Sequence, residues 1–217
     1  MFGNNKNNKI YIIGTAGKKK LVRKIKGLKV KFYGSDSTVI VHEPLADFLH
    51  SSISCGSNCS IEISSSSHRI NNLVIFAEAD NVQCFIGKNF SCTNRCHILL
   101  HREPGLSVRI GEDCMFGTNV VLRTTDAHTI YSLDTGKVEN FGGSIEIGNH
   151  CWLALDVIVM KNVKIADNIV IGTHSVVTKN CDTPNSIYVG SPAKMVKTNI
   201  NWDRRTPVGF DKENTKL

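Results

Sequence analysis

An all-β, coiled solenoid is the fold this sequence predicts, and three observations predict it. From Ser144 to Cys181, apolar residues recur every six positions, at Ile147, Leu153, Val159, Ile165, Ile171 and Val177. The residue two before each anchor (Ile145, Cys151, Val157, Val163, Ile169 and Ser175) is small or apolar. Positions i−2 and i therefore share a face, as in a short strand of period two. Between the anchors lie Gly148-Asn149, Lys161-Asn162, Asp167-Asn168 and Gly172-Thr173, residue types that tolerate tight turns. A helix would place apolar residues at i+3, i+4 and i+7, a pattern this stretch does not keep. A chain that turns a corner after each short strand, burying one face each time, winds into a coil whose strands stack on those of the next turn.

The pairs Ile147-Gly148 and Ile171-Gly172, the closing Val176-Val177-Thr178-Lys179 and the segment Val189-Gly190-Ser191-Pro192-Ala193-Lys194 resemble the hexapeptide-repeat acyltransferases. The resemblance implies a left-handed parallel β-helix of triangular section, three hexapeptides per coil, and acetyl transfer from acetyl-CoA. The hand is taken from the resemblance, because the general crossover rule favours the right.

Taken in order, residues 1–34 read as a non-repeat, basic amino-terminal segment. Within it Leu21, Val22, Ile25 and Leu28 would share one side of a short helix, and Leu28, Val30 and Phe32 then alternate with lysines as in an exposed strand. The β-helix domain is expected over 35–181, beginning with irregular coils around Val39-Ile40-Val41 and Ser60 to Ser64. Clear rungs follow at Ile86, Cys92 and Ile98, with Cys84, Phe90 and Cys96 two residues before them. Leu100 to Leu106 contains Pro104-Gly105, the mark of a turn or small excursion. Ile110, Phe116 and Leu122 resume the repeat. From Leu122 to Ile147 no anchor keeps the pattern, so residues 123–144 are expected as a loop thrown out of the solenoid. Residues 182–217 should cap the last open coil, with Ile187-Tyr188-Val189 as a final strand and residues beyond Arg204 loosely ordered.

Composition narrows the classes. No run of eighteen apolar residues exists, so no membrane span is expected, and Ile10 to Ile13 is too short for a signal peptide. The expected location is the cytoplasm. There the eight cysteines should be reduced, with Cys84, Cys96, Cys114 and Cys151 filling inward positions as small apolar groups. Cys55/Cys59 and Cys92/Cys96 are each separated by three residues, unlike the pairs of a zinc ribbon, and no metal is expected. The formal net charge is +7, with much of it early, at Lys18, Lys19, Lys20, Arg23, Lys24, Lys26, Lys29 and Lys31. This is either a solvated face or a surface that attracts a polyanion. Nothing resembles a helix-turn-helix or an aromatic-rich nucleic-acid platform.

The expected loop contains Thr124-Thr-Asp-Ala-His128-Thr-Ile130. In galactoside and related acetyltransferases of the resembled family, the catalytic histidine lies in such a loop ahead of a tryptophan-containing rung, the relation His128 has to Trp152. Acetyl-CoA is an activated thioester, so the chemistry needs a base for the attacking alcohol. Neutral imidazole can accept that proton near neutral pH. Asp126 or a backbone carbonyl would orient the ring. Trp152, between inward Cys151 and Leu153, should face outward and either pack on a neighbour or offer its N–H near the thioester. Carried over by motif, Leu155 and Thr173 would line the pantetheine arm, Thr178 and Lys179 would approach the nucleotide, and Lys194 and Lys197 would meet its phosphates. Many relatives carry Trp-Ile-Gly at this point, from which Trp152-Leu153-Ala154 is a mild departure.

Ile25 to Phe32, Val41-His42-Glu43-Pro44 and His68-Arg69-Ile70 resemble the capsule-modifying members, including polysialic acid O-acetyltransferases. With the basic balance, this implies a homotrimer acting on an anionic polysaccharide, sialic acid in a capsule. Two other readings stand beside it. One is a γ-carbonic-anhydrase-like zinc hydrase using His97 and His101, and the other is a non-catalytic polysaccharide-binding solenoid.

Overall fold

The computed structural model describes residues 7–214. Residues 1–6 and 215–217, parts of the two terminal extensions, lie outside the described residues. Three sheets form the sides of a prism. The first face carries Lys9–Ile13, Thr38–His42, Ser60–Ile63, Gln83–Ile86, Ser107–Ile110, Ile145–Ile147 and Lys164–Ile165. The second carries Asp47–Leu49, Arg69–Asn71, Ser91–Asn94, Met115–Thr118, Trp152–Leu153, Ile169–Ile171 and Ser186–Val189. The third carries Leu28–Phe32, Ser51–Cys55, Leu73–Ala77, Cys96–Leu99, Val121–Arg123, Ile158–Met160 and Val176–Val177. From Thr38 onward the chain visits first, second and third faces in turn and starts again one rung higher. The result is a left-handed parallel β-helix.

All twelve positions of the period-six pattern point inward and are buried, Ile147 and Ile165 being the most exposed at 3%. Ser175, polar but inside, accepts the Gly190 N–H on its Oγ at 3.0 Å. The eight cysteines are free and buried, and burial pushes the Cys84 and Cys181 thiols up to about 12. Corners stack as well as strands. Asn72, Arg95, Asn119, Asp156 and His174, one above another at the edge between second and third faces, all adopt left-handed φ of 51–60°. This is why Asn and Asp recur there.

Coil length changes along the prism. Ile147 pairs with Ile165, and Leu153 with Ile171, steps of 18 residues. Lower down, Val39 pairs with Ile61, Ile61 with Cys84 and Cys84 with Val108, steps of 22, 23 and 24. The early coils are thus regular in pairing, and their extra residues sit in the corners.

Both ends differ from expectation. The helix expected over Leu21–Leu28 is absent. Lys19–Val22 instead pairs antiparallel with Lys9–Ile13 across a turn in which the Gly17 N–H donates to the Gly14 carbonyl. Gly27, at φ 75°, passes so close to Phe48 that a Cβ would lie 1.7 Å from its carbonyl oxygen. Lys9–Ile13 and Leu28–Phe32 pair in parallel within the first and third sheets, so the ladder starts ahead of residue 35. At the other end Lys194–Thr198 closes the second sheet antiparallel to Ser186–Val189. Beyond Arg204, where loose order was expected, Pro207–Asn214 forms a helix. Thr206 Oγ1 caps it by accepting the Gly209 N–H at 3.2 Å, and Pro207 occupies the first turn.

Candidate active site

The excursion at residues 124–144 leaves from the edge between third and first faces and folds back on that edge. Thr124 and Thr125 are buried, and their hydroxyls donate to the Leu99 carbonyl at 2.9 Å and to Glu103 Oε1 at 2.8 Å. Glu103 Oε2 accepts the Gly142 N–H at 2.7 Å, so one carboxylate from the Pro104-Gly105 excursion ties both ends of the loop. Thr125 Oγ1 also accepts the Ala127 N–H, closing a turn in which Ala127 takes φ 66°.

Inside the loop, Asp126 Oδ2 accepts from Lys161 Nζ and from Asn140 Nδ2. Lys161 Nζ also donates to the Asn140 carbonyl at 2.7 Å. The lysine beside it, then Asn140, holds the Asp126 carboxyl below its usual range. Asn140 further donates to the His128 carbonyl at 2.8 Å and accepts the Ile130 N–H at 2.7 Å. The backbone of His128 is thereby fixed. Its ring is exposed, without a hydrogen-bond partner among the described residues, at the rim of a pocket of about 340 Å³ that Glu103, Thr129 and Phe141 also line. Among the described residues no hydrogen bond joins Asp126 to the ring; its Oδ2 is taken by Lys161 and Asn140.

Trp152 lies on the second face between Met115 and Val170, half-buried and facing outward as its register requires. Its neighbour is the carboxy-terminal segment. Trp202 sits 6.1 Å from the Trp152 ring and stacks on His150 at 4.4 Å. Trp202 Nε1 donates to the His150 carbonyl at 2.8 Å. His150 itself contacts Asp113 Oδ2 through Nδ1 at 2.6 Å and the Trp202 carbonyl through Nε2 at 3.1 Å. Arg204 then grips the face, donating to Asp113 Oδ1, Ser91 Oγ and the carbonyls of Asn89 and Cys114. Sequence reasoning missed this strap. A second tryptophan and an arginine in an otherwise polar tail were the available signal.

Of the residues expected along the cofactor, Leu155 and Thr173 stack on consecutive coils at the edge between second and third faces, whereas Thr178 and Lys179 follow Val176–Val177 toward the first face, and Lys194 and Lys197 lie on the strand that closes the second sheet. The His174 N–H donates to the Leu155 carbonyl at 2.9 Å, setting Thr173 one rung above Leu155. Val176 N–H donates to the Gly190 carbonyl and Ala193 N–H to the Val176 carbonyl, which brings the turn before Lys194 beside the same column. Leu155, Thr173, Thr178, Lys179, Lys194 and Lys197 are all exposed. None of the three lysines forms an ion pair among the described residues, and a lysine ammonium is a compact charge of the kind that meets phosphate.

His128 and Trp152 do not meet within one chain. The loop rises from the edge opposite the second face, across a side about six residues wide, or about 20 Å. Among the described residues, no group of three or more His, Cys, Asp and Glu side chains is placed to hold a metal ion. His101 is set edge-on to Phe76 at 5.6 Å, and burial lowers its pKa.

No protein-family model matches the chain. A polysialic acid O-acetyltransferase of Neisseria meningitidis is 36% identical over 167 residues, 72% of this chain and 77% of that protein. Galactoside O-acetyltransferase of Escherichia coli is 31% identical over 57% of each chain. Among solved structures, the polySia specific acetyltransferase NeuO superposes with a TM-score of 0.66 over 99% of this chain and 89% of that one, at 22% identity. The polysialic acid O-acetyltransferase OatWY superposes at 0.55 over 97% and 94%, at 28% identity. Fold and relatives together define a hexapeptide-repeat acyltransferase. Within that class, the chain belongs to the family of the polysialic acid O-acetyltransferases.

Proposed function

We propose that this enzyme transfers acetyl from acetyl-CoA to a hydroxyl of sialic acid in a capsular polysaccharide, directly, in a ternary complex, with His128 as general base. The observation that carries the reading is the unpartnered imidazole of His128 on a loop tied down at both ends, in a chain whose relatives are O-acetyltransferases. When bound, the thioester supplies an activated acyl group. The protein's task is to take the alcohol proton on an imidazole nitrogen, a contribution of about 10²–10⁴ in rate, and to steady the oxyanion, for which the Trp152 N–H of a neighbouring copy is the candidate. Among the described residues no serine or cysteine shares the His128 pocket to act as a nucleophile, which favours direct transfer. Leu155 and Thr173 would flank the pantetheine arm, Thr178 and Lys179 the nucleotide, and Lys194 and Lys197 the phosphates.

Charge supports an anionic acceptor. Of the 26 lysines and arginines, ten lie in residues 1–35, together with none of the 19 carboxylates, so the rest of the chain holds 16 cations against 19 anions. On the third face Lys31 pairs in register with Ser54, and the ladder continues through Phe76 and Leu99 to Arg123, where the loop begins. Four strand spacings put the basic end about 19 Å from the loop, a span that a short oligomer covers. A homotrimer is supported by the separation of His128 from Trp152 and by outward apolar residues on the third face. Val121, Ile158 and Val176 form one such row, continued below by His97 and Val74, with Tyr131, Leu133 and Phe141 of the loop exposed beyond it.

The test is labelled acetyl-CoA with purified protein and oligosialic acid. Label should enter the sugar, and His128→Ala should abolish transfer while still binding CoA. Near-wild-type turnover in that variant would refute the assignment.

A further inference from the structure

The pocket of about 340 Å³ that holds the His128 ring at its rim is also lined by Arg102. The Arg102 side chain is exposed and forms no hydrogen bond, ion pair or ring contact among the described residues. It reaches the pocket from the excursion at residues 100–106, one coil below the loop. The N–H and hydroxyl of Thr124 both donate to the Leu99 carbonyl just before that excursion, and the Gly105 N–H fastens its far end to the Asp80 carbonyl at 3.1 Å. The backbone of Arg102 takes φ 73°, a left-handed conformation that Asn, Asp and His fill at most other corners of the coil. Packing gives no reason for an arginine there.

The charge on the pocket wall is simple. Arg102 is the only lysine or arginine lining it, and Glu103 the only carboxylate. Both oxygens of Glu103 are occupied, by the Thr125 hydroxyl at 2.8 Å and the Gly142 N–H at 2.7 Å. Asp126 does not line the pocket and is held by Lys161. Thr129, Val138 and Phe141, all exposed, add a hydroxyl and an apolar side. A free guanidinium offers a planar fork of N–H donors that fits a carboxylate bidentately, so the pocket suits one acid-bearing sugar residue.

We propose that Arg102 is the carboxylate-binding residue of the acceptor site, pairing with the acid group of the sialic acid whose hydroxyl faces His128. This rests on the reading of the acceptor as an acidic sugar and of His128 as the base. Glu103 repels a second anion, which leaves the carboxylate one place on the wall. The basic amino-terminal end attracts the polymer, and Arg102 selects the unit presented to the imidazole.

Calorimetric titration of the intact protein reads this pairing apart from catalysis. A sialic acid tetramer and its neutral methyl ester are titrated into wild type, Arg102→Ala and Arg102→Lys. Arg102→Ala should weaken binding of the acid about 10- to 100-fold and of the ester less than about twofold, with the melting temperature unchanged. Arg102→Lys should recover only part of the loss, because an ammonium keeps the charge and lacks the fork. The pairing is overturned by no binding of the acid to wild type, by wild-type affinity in Arg102→Ala, by equal loss of acid and ester, or by full recovery in Arg102→Lys, which long-range attraction alone would give. If these results overturn it while label still enters oligosialic acid, the proposed function stands without this subsite. If the titrations come out as expected while His128→Ala keeps its turnover, the pairing stands and the base assignment falls.

Discussion

At the scale of the residue, the proposed chemistry depends on what surrounds one imidazole. His128 could be picked out because it falls in the interval where the six-residue anchors stop, ahead of the Trp152 rung. What orients the loop could not be read there, because the partner of Asp126 is Lys161, 35 residues away. A carboxylate two positions from a histidine invites a local pairing, and the fold gives it a distant lysine instead. Lys161→Ala should therefore lower kcat about tenfold while leaving the melting temperature of the coil almost unchanged, since it releases the loop without touching the core. Kinetics set beside a thermal scan would check this, and an unaltered kcat would remove Lys161 from the positioning set. The pH dependence follows from the sign of the shift. The folded-state pKa of Asp126 is depressed, so its contribution is present above the unfolded value of about 3.9 and is lost as pH falls through the lower folded value. Hydrogen exchange, corrected for intrinsic rates, should show residues 125–141 protected at pH 5 and opening ahead of the strands only as pH is taken below the ordinary carboxylate range.

At the scale of the element, the upper coils were open to sequence reading because each takes 18 residues with no insertion, so every inward pair falls in phase. The lower coils put four to six extra residues into their corners, as the 22- to 24-residue steps show. A fixed-period search loses its phase there even though the strand pairing does not. The amino-terminal hairpin was mistaken for a helix because Leu21, Val22, Ile25 and Leu28 satisfy a helical spacing. Gly17 and Gly27, both with positive φ, decide otherwise. The carboxy-terminal strap was missed for another reason: Trp202 and Arg204 stood out in the tail, but the partner that holds Arg204 is Asp113, 91 residues earlier. Stacking also fixes where glycine is required. The amides of Gly87, Gly111 and Gly148 donate to the carbonyls of Ile110, Ile147 and Ile165, and a Cβ on Gly111 would lie 2.5 Å from the Gly148 carbonyl oxygen. Gly111→Ala should cost about 1–3 kcal/mol and lower the melting temperature by roughly 3–10 °C. Calorimetry measures both, and an unshifted melt would show that the corner yields.

At the scale of the whole molecule, the prism separates the two residues that the proposed chemistry joins. His128 rises from one edge and Trp152 lies on the opposite face, so on the proposed chemistry a single copy would hold two half-sites that a closed ring of copies would complete. The apolar rows of the third face and the exposed loop residues are the surfaces on which such a ring would form. Sedimentation should give a trimer, and Phe141→Asp should shift it toward monomer with loss of transfer. The most direct measurement is complementation. His128→Ala and Trp152→Ala, each inactive alone, are co-expressed, purified together and assayed with acetyl-CoA and oligosialic acid. If each site takes its base from one copy and its tryptophan from the next, random assortment leaves about a quarter of the sites with both native residues, and transfer should recover to about that fraction of the wild-type rate. Mixed protein no more active than the two variants assayed separately would contradict a site shared between copies.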